Sequence, residues 1–231
     1  MKKVTAIVTV LLLCASAMAV ADVSTSEAKR LSDATTTLRQ FKAVPDKGIP
    51  ENLWNSAECV AVVPGLKKAA FILGGEYGKG VLSCRNGRDW SAPIFIEIEK
   101  GSAGFQIGAE QVDLVLLMMN REGVDKLLGD KVTLGADASV AAGPVGRAAS
   151  AGTDAKMSAG ILAYSRAQGA FAGINLSGGV LRADIDANQR VYGASVSPRD
   201  VLFKNEVAVP AQAQAFVRTL REETRATTGR Q

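Results

Sequence analysis

The chain has 231 residues, with 27 lysines and arginines against 23 acidic residues, a formal charge of +4, and no histidine. So small a basic excess gives no bulk electrostatic case for nucleic acid. The lack of imidazole removes Ser-His-Asp and Cys-His nucleophile pairs and most catalytic zinc sites, so no metal or other cofactor is expected.

The first residues read as an export signal. Lys2 and Lys3 precede an apolar run from Val4 to Leu13, the length of a signal-peptide core rather than of a membrane span. Cleavage after Ala21 would leave a polar start at Asp22, and 27 minus two gives 25 basic residues against 23 acidic ones. Lipidation at Cys14 is not expected, because Leu13 is too large for the position before an acylated cysteine. The expected location is therefore periplasmic or peripheral to a membrane. Export places Cys59 and Cys84 where disulfides persist; a bridge between them and a pair of buried thiols are both open readings.

Residues 24–42 read as a helix. Ser24 and Glu27 have capping-box spacing, and Ala28, Leu31, Ala34, Leu38 and Phe41 form one apolar stripe. That stripe can pack on a sheet or lie in a membrane interface; packing is the expectation. Strands follow. Cys59–Val63 is a short buried run ended by Pro64-Gly65, and Ala69–Gly75 and Gly80–Arg85 flank a glycine-rich turn. Asn86-Gly87 signals a hairpin. Ile94, Ile96 and Ile98 alternate with Phe95, Glu97 and Glu99 in a half-buried strand.

Residues 105–119 begin in alternation and end fully apolar, and a helix capped by Asn120 is expected from Arg121 to Leu128. Val132 to Val140 alternates as one strand; further strands fit 156–164 and 171–185. Pro198–Phe203 reads as a short helix, and Ala213, Phe216, Val217 and Leu220 place a last helix after Pro210. The 23 glycines, many within strand patterns, point to a strongly bent sheet. The expected class is α+β: a curved, mostly antiparallel, barrel-like sheet with a few flanking helices.

Little here resembles catalytic machinery. The run Gly74-Gly75-Glu76-Tyr77-Gly78-Lys79-Gly80 lacks the spacing and the Ser or Thr of a phosphate loop. Glu110 and Asp113, three apart on a strand, point to opposite faces, so the expectation is that they bind backbone N–H groups rather than share acid–base work.

From Ala57 to Phe203 the chain resembles the SYLF domain family. The motifs run in order: Ala61-Val62-Val63-Pro64, the Gly78-Lys79-Gly80 segment, Trp90-Ser91-Ala92-Pro93, Gly108 to Asp113, Val132 to Arg147, Tyr164-Ser165-Arg166 and Tyr192-Gly193. The resemblance implies lipid binding rather than catalysis, on a domain spanning 22–206 with its core at 57–203, between the signal (1–21) and a C-terminal helix or tail (207–231). Eukaryotic members are phosphoinositide binders, and some yeast members bind actin; for an exported chain anionic phospholipid is the expected ligand and actin is not. Lys67, Lys68, Lys79, Arg85 and Arg88 fall near hairpin ends, and Arg147 follows a Gly-Pro turn. These six are the candidate lipid contacts, each worth about 1 kcal/mol at an anionic surface. The alternative is a structural or interaction protein of the envelope whose partner is another protein.

Overall fold

The computed structural model describes residues 23–224 apart from 43–47, 72, 88, 104–107, 146–158, 168–169, 173 and 205. The expected signal peptide, Cys14, Arg88 and Arg147 lie outside the described residues.

Ten strands are described: β1 (Cys59–Phe71), β2 (Leu73–Asn86), β3 (Asp89–Trp90), β4 (Ile94–Ala103), β5 (Gly108–Met118), β6 (Lys131–Thr133), β7 (Val140–Ala142), β8 (Ile161–Ala167), β9 (Ala170–Ala172) and β10 (Val180–Ala183). The helices are α1 (Thr25–Lys42), α2 (Glu51–Ser56), α3 (Glu122–Gly129), α4 (Ile185–Tyr192), α5 (Pro198–Phe203) and α6 (Gln214–Glu223). The sheet runs β6-β10-β4-β2-β1-β5-β8-β7, with β3 on β2 and β9 on β8. All described pairings are antiparallel except β7 with β8. The two ends of this order, β6 and β7, are joined by residues 134–139 alone. A connection that short brings the ends of the sheet near each other, and the sheet is a strongly curled half-barrel of an α+β fold.

Strands at the middle of the sheet are buried on both faces, which is why they read as continuous apolar runs. On β1, Cys59, Ala61 and Val63 join the inner cluster, with Leu114, Leu116 and Met118 of β5 and Ile161 of β8. Val60 and Val62 face outward with Val115, Leu117, Leu162 and Tyr164. The inner cluster is completed by Val124 and Leu127 of α3 and Val201 and Leu202 of α5. The outer layer is α1, α4 and α6: Leu31, Ala34, Leu38 and Phe41 meet Phe216, Val217 and Leu220 over the sheet. The stripe of the first helix thus packs on the protein's own core, and the last helix is part of the same body.

Several sequence expectations change here. Pro64-Gly65 does not end β1. The pairing with β5 shifts between Val63 and Leu66, and that with β2 between Val62 and Lys67, so the chain inserts one extra residue as a bulge. Gly65 takes φ +55°, which favours glycine there. Its N–H, displaced from the ladder, donates to Asp113 Oδ1 at 2.9 Å.

The glycine-rich segment 74–80 is likewise not a turn but the interior of β2, because Phe71 already pairs with Leu73. Gly78 and Gly80 face the bulge. A β-carbon on Gly78 would meet Val63 Cγ1 at 2.5 Å, and one on Gly80 would meet the Val62 carbonyl oxygen at 2.2 Å. Close backbone approach, rather than reversal, explains them.

The alternating stretch 132–140 breaks in two. Gly135 takes φ +87°, and the Thr133 N–H donates to Asp137 Oδ2 at 2.7 Å, so a turn separates β6 from β7. Val132, Leu134 and Ala138 still face the inner core, but Ala136 is exposed. The helix expected at 121–128 is α3, capped by Arg121 with no side-chain cap bond rather than by Asn120. The strand expected to reach Ile185 ends at Ala183, because Asp184 accepts from the Ala187 N–H at 3.1 Å and starts α4. The Asn86-Gly87 hairpin stands, with Asn86 opposite Asp89 and Gly87 at φ +63°.

Cys59 and Cys84 are direct cross-strand partners on β1 and β2 and are joined as a disulfide, both fully buried in the inner cluster.

Candidate functional site

Past the bulge, β1, β2 and β4 bring charged residues into register: Lys67 and Lys68, Glu76 and Tyr77, and Glu99 and Lys100. Strand alternation assigns the residues to faces. Lys67, Tyr77 and Glu99 occupy one register row, Lys67 opposite Tyr77 and Tyr77 opposite Glu99. The next row, on the opposite face, is Glu110, Lys68, Glu76 and Lys100, alternating in charge across β5, β1, β2 and β4.

The outward row continues into a network of ion pairs. Lys79 Nζ lies 3.0 Å from Asp184 Oδ2 and 3.9 Å from Glu97 Oε2. Arg182 Nε donates to Glu97 Oε1 at 2.6 Å, and its Nη1 to Glu99 Oε1 at 3.1 Å. Tyr77 donates its hydroxyl to Glu97 Oε2 at 3.1 Å. Partial burial and the Glu97 acceptor hold the Tyr77 phenol above its ordinary pKa.

Asp184 is the inner anchor of this network. Besides Lys79 it accepts from Arg30 Nη1 at 3.0 Å, and the Arg30 guanidinium lies 5.2 Å from the centre of the Phe95 ring. Burial alone would raise the Asp184 carboxyl. The bonds from Lys79, the Ala187 N–H and Arg30 outweigh it and hold the carboxyl below its usual range. The bond to Asp184 raises the Lys79 ammonium, against the smaller effect of burial. A second buried carboxylate ties α1 to α4: Glu27 accepts from Arg190 Nη2 at 2.7 Å, from Ser26 Oγ at 2.9 Å and from Ser24 Oγ. Ser24 therefore bonds the Glu27 side chain in place of the reciprocal backbone bonds of a capping box.

The sequence-predicted cations are placed as follows. Lys67 and Lys68 sit side by side on β1 but face opposite ways, and Lys68 lies 3.9 Å from Glu110. Lys79 is held by Asp184. Arg85 points into the protein: its guanidinium donates to the carbonyls of Ala57 at 2.8 Å, Trp54 at 3.0 Å and Asn55 at 3.1 Å, and stacks 4.8 Å over Trp90. Lys67, Lys68 and Lys79 thus share one hairpin end, while Arg85 lies at the far end of β2. Asp113 binds a backbone N–H, as expected, and Glu110 stands on the other face paired with Lys68. Asp184, Glu97, Arg182, Glu76 and Lys100 were not singled out from sequence. The outward alternation of Glu97 and Glu99 was the one sign of this network.

A family model described as "Ysc84: Las17-binding protein actin regulator" matches residues 99–223. The SH3 domain-containing YSC84-like protein 1 of Rattus norvegicus is 35% identical over 197 residues, 82% of this chain and 56% of that protein. The chain belongs to the SYLF, or Ysc84, family. Its SYLF relatives include the human YSC84-like protein 1, 34% identical over 197 residues with the same shares covered. Protein YSC84 of Saccharomyces cerevisiae is 34% identical over 179 residues, 76% of this chain and 38% of that protein. The chain spans about half the length of the mammalian SYLF relatives. The family match begins in β4 and runs through α6; of the ion-pair network it takes in Glu99, Arg182 and Asp184, while Arg30, Tyr77, Lys79 and Glu97 precede it. These relatives are named for an SH3 domain or for YSC84 and not for an enzymatic activity.

Proposed function

We propose that this is a non-enzymatic phospholipid-binding domain that meets anionic membrane surfaces through the polar end of the β1–β2 hairpin. The observation that carries this reading is the gathering of Lys67, Lys68 and Lys79 on one hairpin, with Lys100 on the neighbouring strand. Cations on a glycine-rich strand can approach a flat surface closely, each contributing about 1 kcal/mol near anionic lipid. Acidic neighbours keep the net charge of this end low, so binding is weak, reversible and sensitive to salt. Among the described residues no helix is long and apolar enough to cross a membrane, in keeping with a peripheral role.

The Cys59–Cys84 disulfide supports an exported, envelope location, since such bridges persist in oxidising compartments. Sedimentation with vesicles of neutral and of anionic lipid tests the function. Recovery with anionic vesicles that falls with added salt is expected; equal retention in the supernatant with both lipids at low salt would overturn it.

A second reading, protein recognition, is favoured by the family's description as a Las17-binding actin regulator. Crosslinking in cells separates the two, since a protein receptor gives one reproducible adduct and a lipid surface does not.

A further inference from the structure

Beyond Leu66 the sheet is charged on both of its faces. Lys67 and Glu99 stand in one row with Tyr77, and the next row, on the opposite face, is Glu110, Lys68, Glu76 and Lys100. Neither face offers an apolar core surface at this level. The strands nevertheless run on for three more rows, through 69–71 on β1, 73–75 on β2, 101–103 on β4 and 108–109 on β5. None of these residues is charged, and Ser102 alone is polar. The outermost register pair is Phe71 with Leu73. At about 3.3 Å per residue it stands about 10 Å along the strand from the row of Lys68.

The pairings fit this tip to a particular depth. β1 lies between β2 and β5, and β2 between β1 and β4, so the two central strands have partners on both sides. The outer strands do not: among the described pairings, β10 meets β4 only at Ile96–Glu99, and β8 meets β5 only at Asp113–Met118. Backbone edges of that kind are tolerated among head groups and not in hydrocarbon. Charge alone gives the tip little hold on a surface, because the three lysines of the two charged rows stand with three glutamates.

We propose that this uncharged hairpin tip, centred on Phe71 and Leu73, is a membrane anchor that enters the interfacial region of a bilayer, with the rows of Lys67 and Lys68 at the level of the phosphates. The proposal rests on the membrane reading above and adds the apolar contact that the balanced charges lack. A length of about 10 Å matches the depth of interfacial segments, about 5–10 Å into the head-group and acyl boundary. Lysine stems lie along apolar surface while their ammonium groups stay in the polar layer. A protein receptor is the poorer occupant. Beyond Phe71 and Leu73 the tip is glycine, alanine and one serine, with none of the Trp, Tyr or Arg that anchor protein interfaces.

The test is sedimentation of the full chain with vesicles of phosphatidylcholine and phosphatidylglycerol at low and at high salt. The expected result is binding that salt reduces but does not abolish, since screening acts on the charges and not on apolar contact. Phe71→Ser and Leu73→Ser should each weaken the salt-resistant part by about tenfold, the loss of one apolar side chain from lipid. Should either variant not fold, tryptophan emission decides. Phe71→Trp should shift to shorter wavelength on vesicles, over a constant background from the buried Trp54 and Trp90. Ile185→Trp, at an exposed position beside Asp184, should not shift. Serine variants that bind as the native chain does, with binding that high salt abolishes, overturn the anchor and leave the charge-based membrane reading intact. Absence of vesicle binding by the native chain at low salt overturns both. Emission of the Phe71→Trp chain that vesicles leave unchanged also overturns the anchor. A lipid-free dimer that Phe71→Ser dissolves, with vesicle binding unaffected, assigns the tip to a second copy and overturns it too.

Discussion

Gly80 and Val62 approach so closely that a β-carbon on the glycine would sit 2.2 Å from the valine carbonyl oxygen. This contact holds β2 against the bulge of β1 and sets the bend of the sheet. Backbone cannot yield as a flexible side chain can. Gly80→Ala is therefore expected to destabilise by about 2–3 kcal/mol, within the range for overpacking. Gly101→Ala, with nothing within 4 Å of its β-carbon, should change stability little. Urea unfolding of the two variants checks the contrast; equal midpoints would show that the bend tolerates a side chain.

Acid should loosen the contact between α1 and α4. Burial raises the Glu27 carboxyl, but the bonds from Arg190, Ser24 and Ser26 prevail and hold it at about 2, below its ordinary value of 4.5. A carboxyl depressed by folding adds stability that is complete above the unfolded-state pKa and disappears as pH falls through the folded one. Stability should thus decline from pH 4.5 towards 2, with Asp184 adding to the loss in the same direction. Glu27→Gln should lower stability at neutral pH by about 1–3 kcal/mol and flatten that slope. A variant with an unchanged acid profile would remove Glu27 from the account.

Joining Cys59 to Cys84 closes a loop across a sequence separation of 25 residues. Restricting the unfolded chain to that extent is worth roughly 3 kcal/mol. Replacing both cysteines by alanine is expected to lower the denaturation midpoint accordingly, and an unchanged midpoint would mean that the bridge adds nothing to the sheet. The native protein should also leave Cys59 and Cys84 unlabelled by thiol reagents until it is reduced.

Arg85→Lys separates structure from surface chemistry. Lysine keeps the charge but cannot reach three carbonyls and a tryptophan face with one planar fork. The melting temperature should fall while anionic-vesicle binding stays unchanged for the folded protein. A loss of binding at full stability would instead make Arg85 a lipid contact.

Much of the architecture was legible from alternation and helical spacing. The stripe from Ala28 to Phe41 and the group Ala213, Phe216, Val217 and Leu220 each announced a helix that the structure shows packed on the outer face. The bulge was hidden because Pro-Gly ordinarily ends a strand, and only the register with β5 reveals that the pairing resumes. The break at Gly135 was hidden for the opposite reason: inward-facing Val132, Leu134 and Ala138 keep a strand's rhythm across a turn. The candidate site was less legible still. Lys67, Lys68 and Lys79 share an end of one hairpin, but their acidic partners come from β4, β5 and α4, as far as 105 residues away in the case of Asp184. No local pattern carries that distance.

The position of β10 has a consequence for how the chain is made. Val180 pairs with Glu99, and Ala183 with Ile96, so β4 waits for more than eighty residues of synthesis before its outer edge finds a partner. The apolar outer face of β1 and β5 waits longer, until Phe216, Val217 and Leu220 emerge to help cover it. A nascent chain with this order cannot complete its body piece by piece. Part of the outer face of the central strands stays uncovered until α6 has been made.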